Sequence, residues 1–120
     1  MTLYAQGDII LELVAKAKPR NPINIDPDKA VVLARGEVTG HRHRFTGDSG
    51  VVMFRDDAMA RDMESTLYIG HVSIPEGGAA LKHEEHGTID LPAGTYRVRR
   101  QREWTAASSR RAASSRLVAD

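Results

Sequence analysis

The 120-residue chain contains no cysteine. That excludes a disulfide framework and every thiolate metal site, so a metal ion would have to be held by imidazole, carboxylate or water. No stretch approaches the roughly 20 consecutive apolar residues needed to span a bilayer, and the first residues lack the basic segment and apolar run of a secretory signal. A cytoplasmic protein without membrane association is expected. Aromatic residues make up only 5% of the chain, and Tyr4, Tyr68 and Tyr96 are too scattered to mark more than core or interface. The net charge of +1 gives no global pull toward nucleic acid or a membrane surface.

A chain of this length with 41% hydrophobic and 28% charged residues suits one domain and is too short for two independent cores. The charge is unevenly spread. Residues 91–119 hold seven arginines (Arg97, Arg99, Arg100, Arg102, Arg110, Arg111, Arg116) against the single acid Glu103, a net +6 that leaves −5 on the remainder. A basic end on a mildly acidic body can guide an anionic partner, although charged termini are often simply solvated.

Apolar alternation comes in short runs broken by glycine, proline and aspartate, the pattern of strands and turns. Strands are predicted over 8–14, 30–38, 40–46, 51–55, 67–74, 79–84, 88–91 and 95–104. Eight short strands predict an all-β fold, a small antiparallel barrel or a two-sheet sandwich. Pro19, Pro22 and Pro27 make 16–29 a loop, because proline has no ladder donor, and Pro75-Glu76-Gly77-Gly78 reads as a turn. Segment 56–65 is the one internal stretch with plausible helix content, and it reads equally well as a mobile loop. Residues 1–104 form the predicted β domain; 105–120, with its Ala-Ala-Ser-Ser-Arg duplication, reads as a weakly helical or frayed tail.

The concentrated chemistry is histidine. In Gly40-His41-Arg42-His43-Arg44-Phe45, side chains two apart on a strand share a face, so His41 and His43 fall with Phe45, and Arg42 and Arg44 fall on the other side. Two such imidazoles can take adjacent positions around one cation. His83-Glu84-Glu85-His86-Gly87 is the natural second half, since a bend at Gly87 lets His83 and His86 face the same cavity, with Glu84 or Glu85 as a carboxylate ligand or base. The expected metal set is therefore His41, His43, His83, His86 and Glu84, holding zinc, manganese or iron. The spacing is not that of the helical zinc-protease motif. His71, alone on an apolar-leaning face, reads as a hydrogen-bonded scaffold group.

The rival reading needs no metal. RNA cleavage by 2′-OH attack requires a general base and a general acid, which His41, His43, His83 and His86 can supply. Arg42, Arg44, Arg97, Arg99, Arg100 and Arg102 would then hold phosphates, with Tyr96 and Trp104 near the basic strand as stacking groups. Arginines that blunt an edge strand against aggregation are the alternative for that strand, and a structural or interaction module without catalysis is a third reading of the whole. A small molecule or RNA is the expected partner, and self-association stays open.

Taken together, Gly36-Glu37-Val38-Thr39-Gly40-His41-Arg42-His43-Arg44, His83-Glu84-Glu85-His86-Gly87, Leu91-Pro92-Ala93-Gly94-Thr95-Tyr96-Arg97-Val98 and Gln101-Arg102-Glu103-Trp104 resemble a family of small bacterial and phage-associated hypothetical proteins. That resemblance groups the motifs and implies no activity. A second resemblance is to cupins, through the chain length, the His-x-His pair and a Pro-x-Gly turn. It implies the barrel architecture but not the ligand set, because no glutamate follows His43 at the cupin spacing and Tyr96 stands where a histidine would be expected.

Overall fold

The computed structural model describes residues 2–36, 38–60 and 67–101. The described chain is all-β apart from one short 3-10 turn at Asp57–Ala60. Its strands are β1 (Leu3–Gln6), β2 (Ile9–Val14), β3 (Val31–Arg35), β4 (Arg42–Phe45), β5 (Val52–Phe54), β6 (Tyr68–Ile74), β7 (Ala79–Leu81), β8 (Ile89–Leu91) and β9 (Gly94–Arg100). The predicted loop at 16–29 holds apart from one isolated bridge, Ile25 to Val31. The turn at 75–78 closes with Gly78 N–H donating to Pro75 C=O at 2.9 Å. Of segment 56–65, expected as helix or loop, the described part forms only that 3-10 turn; residues 61–66 lie outside the described residues, as do Arg102, Glu103, Trp104 and the tail.

β1 precedes the first predicted strand. It pairs with β2 across a two-residue turn, Gly7-Asp8, with Gln6 opposite Ile9. Gly7 sits at φ +60°, and Asp8 is not left-handed, which is the pattern of a turn with glycine at its first central position. A Gly-Asp pair between two apolar alternating runs is a hairpin signal, and reading 8–14 as the first strand overlooked it.

Five strands form one antiparallel sheet in the order β1-β2-β9-β6-β5, which does not close on itself, so the barrel alternative does not hold among the described residues. The sandwich alternative does. β3 pairs with β4 and β7 with β8, and a bridge between Arg44 and Lys82 joins these ladders into a second layer. Ile9, Leu11, Met53, Val72, Tyr96 and Val98 from the first layer pack against Val31, Leu33, Phe45, Leu81 and Leu91 from the second. Burying each such side chain fully is worth about 1.5–3 kcal/mol, so the period-2 alternation has a direct energetic reason to set which face turns inward.

The two ends of this core differ. Toward the β1–β2 hairpin tip the inward positions turn polar: Gln6 is fully buried, and His43, which shares the inward parity of Phe45, is 6% exposed. Arg100 continues the inward parity of Tyr96 and Val98 but lies at the strand end, opposite Ile9, where it is exposed. The candidate site occupies that polar end.

Candidate functional site

The Arg44–Lys82 bridge is what brings the two histidine segments together. Arg44 N–H donates to Lys82 C=O at 2.9 Å and Lys82 N–H returns to Arg44 C=O at 2.8 Å, so the chain leaving β7 runs beside β4. His83 then stacks against His43 with ring centroids 4.3 Å apart. The His83 Nδ1 accepts the backbone N–H groups of Glu85 at 3.0 Å and His86 at 3.2 Å, closing a tight turn that brings His86 back over His43 at 5.9 Å. His41 meets His83 edge-on at 5.7 Å, and its Nδ1 lies 2.8 Å from Glu85 Oε1. All four predicted imidazoles therefore line one half-open cavity of about 270 Å³, together with Asp8, Arg35, Thr39, Glu85 and Arg100.

The hairpin tip supplies residues the sequence reading did not single out. Gln6 Nε2 donates to Leu81 C=O and Gly87 C=O, each at 2.9 Å, and only an amide N–H can satisfy two carbonyls. Its Oε1 must then be the atom 2.9 Å from His43 Nδ1, which makes His43 Nδ1 the donor and Nε2 the lone-pair nitrogen. Asp8 Oδ1 faces that Nε2 at 3.9 Å, while Asp8 Oδ2 accepts from Arg100 Nη1 at 2.8 Å. Gly7 makes the close approach workable: a Cβ there would fall 2.6 Å from His86 Nε2 and 3.2 Å from His43 Cε1.

Burial, seconded by the neighbouring His83, pulls the His43 pKa down to about 4, with Asp8 pulling the other way. His43 is thus neutral near pH 7, and two electron-rich atoms, an imidazole lone pair and a carboxylate oxygen, face each other without a proton between them. Burial, then His86, also lowers the pKa of His83. Among the described residues no three histidine, aspartate or glutamate side chains already share one metal-binding point. The carboxylate facing the His43 lone pair is that of Asp8.

Other predicted residues are placed elsewhere. Glu84 turns out of the cavity, where its carboxylate accepts the Arg42 backbone N–H at 3.0 Å and Arg44 Nη1 at 3.3 Å; Glu85 is the acid that lines the site. The arginines are engaged internally. Arg42 binds Asp26 and Asp28, holding both carboxyls below the usual carboxylate range; Arg44 binds Glu84; Arg100 binds Asp8. Arg97 donates through Nε and Nη2 to Glu12 Oε1 at 3.1 and 2.5 Å on the far face of the five-stranded sheet. Arg99 is half-buried on that face, and Arg102 lies outside the described residues. His71 is also there, fully buried, with Nδ1 2.6 Å from the Tyr68 hydroxyl and Nε2 without a hydrogen-bond partner among the described residues.

Residues 5–101 match the family described as "Domain of unknown function (DUF8820)", and the chain belongs to it. No curated protein and no solved structure matches it.

Proposed function

We propose that this family member binds a divalent transition metal in the histidine cleft, with His43 Nε2 and Asp8 Oδ1 as the anchoring donors and His41 and His86 as the imidazoles that complete the set. The observation that carries the reading is the Gln6–His43 hydrogen bond. A metal-ligating histidine commonly donates its other ring N–H to a carbonyl or carboxylate, which fixes the tautomer and aims the lone pair. Gln6, itself pinned by two backbone carbonyls, does this for His43.

The charge state agrees. A ligand must be deprotonated to bind metal, and an imidazole held near pKa 4 meets almost no competition from protons at neutral pH. The same value counts against His43 as a general base on RNA, which works best with a pKa near the operating pH. Internal acids outside the cleft hold Arg42, Arg44 and Arg97, three of the arginines assigned to phosphate, which further weakens that rival. A neutral imidazole and carboxylate set without thiolate suits zinc, manganese or iron. His83, whose Nδ1 is committed to two backbone N–H groups, holds the turn that carries His86.

The test is calorimetric titration of tag-free protein with Zn²⁺, Mn²⁺ and Fe²⁺, the iron under anaerobic conditions. One ion should bind per chain. His43→Asn should abolish binding, and Gln6→Leu should weaken it by about 10–100-fold, the usual cost of losing an outer partner. No stoichiometric uptake, or uptake indifferent to His43→Asn, would overturn the proposal.

A further inference from the structure

We infer that the metal-loaded cleft takes a small oxyanion, a phosphate or a carboxylate, held between the ion and the guanidinium groups of Arg100 and Arg35. The inference rests on the metal reading and goes beyond it by naming the class of ligand. It stands on the charge and size of the cavity.

The carboxylates and guanidinium groups of the wall are those of Asp8, Glu85, Arg35 and Arg100, two of each sign, so these charges cancel. A divalent ion added to that wall leaves about +2 in a half-open recess, where charge interacts more strongly than at a flat open surface. An anion is the complement. Arg100 is placed to meet it, because its Nη1 already reaches into the site to hold Asp8 Oδ2 at 2.8 Å, the same carboxylate whose Oδ1 faces His43. Arg35 also lines the cavity, with its Nη2 on Asp26 at 2.6 Å, and Asp26 keeps Arg42 as a partner if Arg35 turns to the anion. Planar guanidinium groups match the oxygen spacing of phosphate and carboxylate.

Size narrows the class. A cavity of about 270 Å³ has room for a handful of waters at about 30 Å³ each and lies at the foot of the range for drug-sized ligands. It fits a free small anion or the terminal group of a larger molecule, and not a tract of nucleic acid.

Co²⁺ is the probe for the test, since its visible spectrum reports both binding and a change of ligand. Titrations are run with the wild-type chain in chloride buffer alone, then with added inorganic phosphate or acetate. Binding linkage is reciprocal, so an anion that joins the site must tighten Co²⁺, by about tenfold or more for a typical coupling, and must shift the absorption band. Arg100→Gln and Arg35→Gln should each reduce that enhancement, and Arg99→Gln, on the far face, should keep it. Co²⁺ binding that neither phosphate nor acetate tightens, or an enhancement untouched by Arg100→Gln, refutes the anion site and leaves the metal reading standing. A wild-type chain that takes up no Co²⁺ refutes both.

Discussion

Acid should weaken the metal-free fold through His43, and the size of the effect follows from its burial. An unfolded chain titrates this imidazole near 6.5, whereas the folded protein holds it at about 4. Between these values the unfolded state carries the proton and the native state does not, so each step down in pH favours unfolding. Stability is therefore intact above about pH 6.5 and is lost progressively as the pH falls toward about 4, for a total of about 3 kcal/mol. From about pH 7 to about pH 5 the loss is about 2 kcal/mol. With a urea slope of about 1–3 kcal/mol per molar for a small domain, the midpoint should fall by about 1 M. His71 and His83 are also lowered by burial and add to the loss with the same sign. The control is His43→Asn, whose amide N–H can still donate to Gln6 but which cannot be protonated. Urea melts of both proteins at several pH values, with chelator present, should show a shallower dependence in the variant by about 2 kcal/mol over that interval. Parallel curves would refute the argument, because the pH dependence would then arise elsewhere.

Gly7→Ala should cost about 1 kcal/mol or more, because it combines a left-handed backbone with a Cβ driven into His86 Nε2; urea melts measure this, and metal titration should show weakened affinity. Tyr68→Phe should cost about 1–3 kcal/mol, since it strips a partner from the Asp56 N–H and from His71 Nδ1; thermal melts that match wild type would contradict that network. Glu84→Gln should change stability by no more than about 0.5 kcal/mol and leave metal uptake intact, because this carboxylate lies outside the cleft on exposed partners; a loss of uptake would restore it as a ligand.

The sequence by itself determined the elements whose information is local. Alternation of period 2 marks β6 and β9, because a strand with one buried face must repeat its apolar residues at that spacing. The same parity put His43 and Phe45 on one face, and the structure buries both. The proline-rich loop and the Pro75–Gly78 turn follow from dihedral limits of single residues. Only the tertiary structure decided which segments meet. Gln6 and His43 are 37 residues apart, Gln6 and Gly87 are 81 apart, and Arg100 and Asp8 are 92 apart. No local pattern distinguishes a glutamine that orders an imidazole from one facing water, or an arginine free for phosphate from one held by an aspartate. Those identities depend on strand order and on the Arg44–Lys82 bridge, which join residues distant in sequence through backbone hydrogen bonds common to every residue except proline.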